Sequence, residues 1–317
     1  MALDNMTFGD ALKESLSPSI GDNIVDSTSP ISDTSIGINE NGGGMSSEEL
    51  NDANKIKVTI ADYNTPLVVL FGPPACGKTM TLVRLTRYLQ SKGYTVQPVT
   101  SFRPTYDKNY RDMCDNFDTM INSEDAAKST SKINFMLVQV LRNGKPLCQI
   151  LEGPGEYYFT PEDPKAQFPK YVNAIISSNN RKIWAIMLEP DKTNERMGVE
   201  DRKNYVSKIH RLKTSISPRD RMLFILNKID ETEYVIGPGN IRYSLALQGV
   251  NYLYPNLFIP FKNANPITRL WAPYNFDFVG FQTGYFSKAA DGTLTFEEGH
   301  DVYPRKLWEF IHKRITG

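Results

Sequence analysis

Unbroken apolar runs alternate with amphipathic stretches along most of this chain, and the alternation predicts its architecture. Leu67–Phe71, Ile183–Leu188 and Arg221–Asn227 are apolar almost throughout, as strands covered on both faces are. Helical spacing links Leu82, Leu85 and Leu89 within Gly77–Leu89, and then Phe168, Tyr171, Val172, Ile175 and Ile176. The same spacing links Tyr205, Val206, Ile209 and Leu212, and later Leu307, Phe310, Ile311 and Ile315 in a terminal helix over Tyr303–Ile315. Ile133–Leu141 and Pro146–Leu151 flank Arg142-Asn143-Gly144-Lys145. Asn-Gly between such runs predicts a tight antiparallel hairpin, because both central residues of a type I′ turn need positive φ. The pattern as a whole predicts an α/β fold: a mostly parallel sheet with one antiparallel strand and helices on both faces.

Weaker signals fill in the rest. Lys55–Ile60 alternates and reads as an edge strand, Tyr94–Val99 as a short β piece, and Leu257–Phe261 as the last strand of the main sheet. Polar Ser101–Ser131, with a helix around Tyr106–Ile121, reads as an insertion. Phe281–Phe296, turning at Ala290-Asp291-Gly292, reads as an added carboxy-terminal hairpin. Trp271-Ala272-Pro273-Tyr274-Asn275-Phe276 reads as a satellite core beneath it ahead of the alternative, a partner-docking loop. Residues 1–54 are rich in Ser, Asn, Asp and Gly without a sustained apolar period, which predicts a disordered tail with a short helix at Met6–Leu16. The expected organisation is that tail followed by one domain, 55–317, with an insertion at 101–131 and an elaboration at 266–300.

Composition narrows the partners. Of 317 residues, 40% are hydrophobic and 23% charged, enough apolar material for a sizeable core. Thirty-six Lys and Arg balance 36 Asp and Glu, so no overall basic bias points to nucleic acid or to an anionic membrane. Cys76, Cys114 and Cys148 lack metal-ligand spacing and are too few for a disulfide framework. No stretch is long and apolar enough for a membrane span, and the amino terminus lacks the pattern of a secretory signal. A cytoplasmic protein is expected.

The chemistry begins where the first buried strand ends. Gly72-Pro73-Pro74-Ala75-Cys76-Gly77-Lys78-Thr79 matches Gly-x-x-x-x-Gly-Lys-Thr, with a strand before it and a helix after it, and Met80 follows. Terminal glycines let the backbone curl so that successive N–H groups converge on phosphate oxygens, at a helix start that adds partial positive charge. Lys78 is placed to reach the β- and γ-phosphates, and the Thr79 hydroxyl to ligate Mg²⁺. Cys76 inside the loop reads first as a small residue that fits.

A later strand, Leu223–Leu226, runs into Asn227-Lys228-Ile229-Asp230. Here the chain resembles the P-loop GTPases of the Ras-like, translation-factor-related class, whose guanine-recognition motif has the form Asn-Lys-x-Asp. A carboxylate can accept two parallel hydrogen bonds from guanine N1–H and its 2-amino group, which adenine cannot offer. The resemblance gives that role to Asp230, lays the stem of Lys228 along the base, and has Asn227 tie this loop to the phosphate loop. It covers roughly residues 65–265 plus the terminal helix. The extended first switch region and added hairpin look like bacterial small-GTPase-like domains of multi-component systems.

The resemblance also marks departures. Where the class carries Asp-x-x-Gly after the hairpin strand, this chain has Glu152-Gly153-Pro154-Gly155, so Glu152 would take the position on the Mg²⁺ side and the Gly155 N–H would meet the γ-phosphate. Glu156 stands where many small GTPases place the glutamine that orients attacking water. The first-switch threonine, a ligand of Mg²⁺, falls on Thr130, with Thr105 and Thr119 as rivals. The base-side loop is expected at Phe261–Pro266, with Ala264 against the base. The resemblance therefore implies binding of GTP or GDP with Mg²⁺, slow or partner-dependent hydrolysis through Lys78, Gly155 and Glu156, and a protein effector. An ATP-dependent P-loop enzyme and a nucleotide-holding scaffold without turnover are the rival expectations.

Overall fold

Seven strands form the central sheet of the computed structural model, which describes residues 46–122, 135–158, 165–190, 197–288 and 294–317. In chain order they are β1 (Leu67–Phe71), β2 (Thr95–Pro98), β3 (Met136–Arg142), β4 (Lys145–Glu152), β5 (Lys182–Leu188), β6 (Arg221–Leu226) and β9 (Asp277–Gly280). A two-stranded ribbon, β7 (Val235–Gly237) with β8 (Asn240–Ile241), lies between the last two. The spatial order is β2-β3-β4-β1-β5-β6-β9. β1 runs parallel to β4 and β5, and β5, β6 and β9 continue in parallel, whereas β3 is antiparallel to both its neighbours. The hairpin between β3 and β4 turns at Asn143 (φ 52°) and Gly144 (φ 74°), the two left-handed residues its sequence predicts. Every residue of β1 and β5 is buried, so both faces of the sheet are covered. This is the Ras-like α/β architecture.

Helices follow the apolar stripes. The described ones are α1 (Ser47–Asn51), α2 (Lys78–Ser91), α3 (Lys108–Asp115), α4 (Phe117–Asn122), α5 (Gly155–Tyr158) and α6 (Lys170–Ser177). Further along come α7 (Val199–Ser215), α8 (Tyr243–Leu253), α9 (Pro266–Trp271) and α10 (Val302–Thr316). The added hairpin is present as β10 (Gly284–Lys288) with β11 (Leu294–Glu298), its turn lying outside the described residues. Buried Arg84 of α2 holds this end of the chain through Glu298, the Gly299 carbonyl (2.5 Å) and Asp301 (2.8 Å).

Four expectations need correction. Leu257–Phe261 is no strand: Ile259–Phe261 is a 3₁₀ turn, because Pro260 lacks the N–H that a ladder needs. Its apolar side chains serve an aromatic cluster instead, with Phe258 and Phe261 both edge-on to Phe224 at 5.3 and 5.2 Å. β9 takes the outer position. Lys55–Ile60 likewise forms no strand; its alternation buries Ile56 and Ile60 while β2 occupies the sheet edge. The helix expected around Tyr106–Ile121 is two, α3 and α4. The tail boundary at residue 54 moves toward the amino terminus. α1 is capped by Ser46, and its buried Glu49 accepts from Arg103 Nη2 at 2.6 Å and from the Lys57 amide at 3.3 Å. Burial works against the Glu49 charge, but these bonds hold its carboxyl below the usual range. Met6–Leu16 lies outside the described residues.

Candidate nucleotide site

Because β1, β4, β5, β6 and β9 run in parallel, their carboxyl ends share one edge, where open α/β sheets bind ligands. β1 ends at Phe71 and α2 begins at Lys78, so Gly72–Gly77 forms the turn between them. Ala75 (φ 59°) and Gly77 (φ 92°) are left-handed, and Pro74 and Ala75 are exposed at the tip. A Cβ on Gly72 would meet Cys76 Sγ at 2.6 Å, and one on Gly77 would meet Asn227 Nδ2 at 2.2 Å. Lys78 Nζ folds back across the loop, donating to the carbonyls of Gly72 (3.1 Å) and Pro73 (2.9 Å). Met80 is half-buried beyond Thr79. Cys76 is wholly buried and its thiol is pushed up to about 11 by burial, so it is a packing residue rather than a reactive one.

Opposite this loop stands the end of β4. The Thr79 hydroxyl donates to Glu152 Oε1 at 3.1 Å, and Glu152 Oε2 accepts from the Phe135 amide at 2.9 Å. A hydroxyl and a carboxylate side by side at the start of a phosphate-loop helix are two oxygen donors of the kind a hard divalent cation takes, so these residues fit Mg²⁺. Gly155 lies close against the phosphate loop. A Cβ there would fall 2.5 Å from Pro73 C and Pro74 N and 2.6 Å from Lys78 Nζ. The side chain of Glu156, and Thr130 altogether, lie outside what is described.

The base side is assembled from three strand ends. Buried Asn227 donates from Nδ2 to the Cys76 carbonyl at 3.0 Å, joining the β6 loop to the loop between β1 and α2. Its Oδ1 has no partner among the described residues. Lys228, left-handed at φ 52°, pairs with Glu189 Oε1 at 2.5 Å just beyond β5. Asp230 sits exposed in the 3₁₀ turn Ile229–Glu231. Two backbone bonds stitch the residue after β9 to this segment: Phe281 N to Leu226 O (2.8 Å) and Ile229 N to Phe281 O (3.1 Å).

That placement corrects the base-side loop. Ala264 is exposed in a segment that precedes β9 and so lies toward the opposite, amino-terminal edge of the sheet. Phe281-Gln282-Thr283, following β9, lies at the carboxyl edge instead, all three buried. Gln282 Nε2 has no partner among the described residues. Glu189 was also missed; the one signal for it was its place directly after an apolar strand run. Arg103 is engaged by Glu49, Asp107 and the Lys57 carbonyl, and Arg111 donates to the Thr105 carbonyl.

Strand order with a lone antiparallel β3, the loop between β1 and α2, and Asn-Lys-x-Asp at the end of β6 define the Ras-like class of P-loop GTPase folds. No family model and no curated protein matches the chain. Among solved structures it is similar to a nucleolar GTP-binding protein 1 from Plasmodium falciparum, at 10% identity and TM-score 0.40, over 82% of this chain and 90% of that one. It is also similar to the GTPase-like domain of S. cerevisiae Ski7 bound to GTP, at 13% identity and TM-score 0.40, over 86% of this chain and 53% of that one. A third is the signal recognition particle receptor SRb-GTP/SRX complex from Chaetomium thermophilum, at 10% identity and TM-score 0.36, over 79% and 98%. Strand order and loops, rather than these distant likenesses, define the Ras-like α/β fold of the chain.

Proposed function

We propose that the protein binds GTP or GDP with Mg²⁺ and works as a nucleotide-dependent switch on a protein partner. The observation that carries this is the Asn227–Cys76 hydrogen bond, which couples the Asn-Lys-x-Asp loop to the loop that would hold the phosphates. Lys78 leaves its two carbonyl acceptors for phosphate oxygens, Thr79 and Glu152 hold the metal side, and Asp230 accepts from the guanine edge. Phe281–Thr283 closes the base side. Mg²⁺, when bound, neutralises phosphate charge. The cytoplasmic assignment rests on three free buried thiols. GTP titrated against ATP tests the base: GTP is expected to bind about a hundredfold more tightly, since adenine offers no paired donors to a carboxylate. Equal affinities would favour an ATP-dependent enzyme.

Turnover rests on Glu156. A carboxylate beside the γ-phosphate accepts from water but repels the developing negative charge, so intrinsic hydrolysis is slow. Glu156→Gln is expected to raise single-turnover hydrolysis about tenfold or more at unchanged GTP affinity. Brisk hydrolysis by the wild type, lowered by this substitution, would instead make Glu156 the general base. No hydrolysis by either would leave a nucleotide-holding scaffold.

A further inference from the structure

The edge of the sheet remote from the phosphate loop carries a feature that nucleotide binding does not use. Between Phe261 and β9 the chain leaves the core, and every residue from 264 to 273 is exposed. This finger is closed at its base by the Asn263 N–Pro273 O bond (3.0 Å), the Asn275 N–Phe261 O bond (2.7 Å) and a bridge between Lys262 and Tyr274. Asn265 caps α9 within it, its Oδ1 accepting from the Ile267 amide at 2.8 Å. Tyr274 and Phe276 anchor it by stacking on each other at 5.0 Å beside Phe258. The expected satellite core therefore exists only in part. Ile267, Leu270 and Trp271, at i, i+3 and i+4 on one helical face, are 71%, 82% and 88% exposed.

The charge around this tip is one-sided. No Asp or Glu occurs from Tyr234 to Phe276, whereas Lys262 and Arg269 flank the tip. Lys213, at the end of α7, lies 5.8 Å over the Phe261 ring at the base of the finger. β6 pairs Leu223 with Asp277, which sets exposed Arg221 level with Asn275, and Arg219 is exposed just before it. Two carboxylates near the finger are engaged, Asp277 with Arg314 and Asp220 with the Lys182 amide and the Trp184 indole, and Asp62, further along the same edge, accepts from the Asn64 and Thr65 amides.

We propose that this finger is a peripheral membrane anchor that docks the protein on an anionic lipid surface. A projecting tip of Trp, Leu and Ile ringed by cations matches the headgroup boundary, where aromatic and aliphatic groups enter the interface and Lys and Arg meet anionic lipids. Insertion of three side chains makes a reversible contact rather than a span. Docked this way, the sheet turns its nucleotide edge away from the bilayer and leaves that edge open to partners.

The test uses the full chain with vesicles of phosphatidylcholine containing about 30% phosphatidylserine, and with pure phosphatidylcholine. Trp184 and Trp308 are buried, so Trp271 is the tryptophan free to report insertion. The expected result is co-sedimentation with the anionic vesicles, a blue shift of tryptophan emission, and quenching by brominated lipid. Leu270→Ser and Trp271→Ser, both at exposed positions that leave the fold intact, should each weaken association roughly tenfold or more. Arg219→Ser and Arg221→Ser should each weaken it about fivefold. Three results would overturn the proposal: wild type remaining in the supernatant, vesicle binding that survives both apolar substitutions, or equal binding to pure phosphatidylcholine. Self-association of the protein abolished by Trp271→Ser would assign the face to a second copy and overturn it equally.

Discussion

Asp230→Asn is expected to move base preference from guanine to xanthine. The carboxylate of Asp230 is exposed at the rim, on a turn fixed by the Ile229–Phe281 backbone bond, so it is free to face a ligand. An asparagine there presents an N–H₂ where guanine also presents donors, whereas xanthine carries a carbonyl in place of the 2-amino group. Losing two hydrogen bonds to a charged acceptor costs about 3–6 kcal/mol, so GTP affinity should fall about a hundredfold or more. Xanthosine triphosphate affinity should rise over the wild type. Isothermal titration with both nucleotides measures the exchange, and unchanged GTP affinity would take Asp230 out of the base pocket.

Lys78→Ala should abolish the stabilisation that nucleotide confers. Lys78 is buried and bonded to two loop carbonyls, Gly72 and Pro73, so it is held where phosphate oxygens would replace those acceptors. Its charge-assisted bonds to phosphates are each of the stronger kind, and their loss should weaken binding about a thousandfold or more. At GTP one hundred times its Kd, the wild type should gain about 2.7 kcal/mol of stability, read as a rise in Tm. The variant should show no rise at that concentration while its far-ultraviolet circular dichroism stays native. A preserved rise would mean that the nucleotide is gripped elsewhere.

Much of the fold was legible because its determinants are local. The buried strands announce themselves as apolar runs, and Asn143-Gly144 encodes its own turn through two residues that tolerate positive φ. The phosphate loop was legible for the same reason, since eight contiguous residues set its backbone and its Lys78 and Thr79. Failures came where a pattern had two physical readings. The apolar run at Leu257–Phe261 suits a strand or a cluster of rings, and Pro260 together with Phe224 decides for the rings. With β9 as the outer strand, the segment at the carboxyl edge is Phe281–Thr283 and not Ala264. Trp271 reads as core by type, yet it is 88% exposed.

By itself, the sequence determined the class of fold, the loop between β1 and α2 and the Asn-Lys-x-Asp segment after β6, because each is written in adjacent residues. Only the tertiary structure decided which distant groups meet. Thr79 reaches Glu152 because β1 and β4 are paired in register, and Lys228 meets Glu189 because β5 and β6 end level with each other. Glu49 neutralises Arg103 across 54 positions of chain. Such meetings depend on strand order and register, which residue types along one chain constrain weakly. Burial is decided in the same way: whether Trp271 lies in a core or on a surface depends on what the rest of the chain places opposite it.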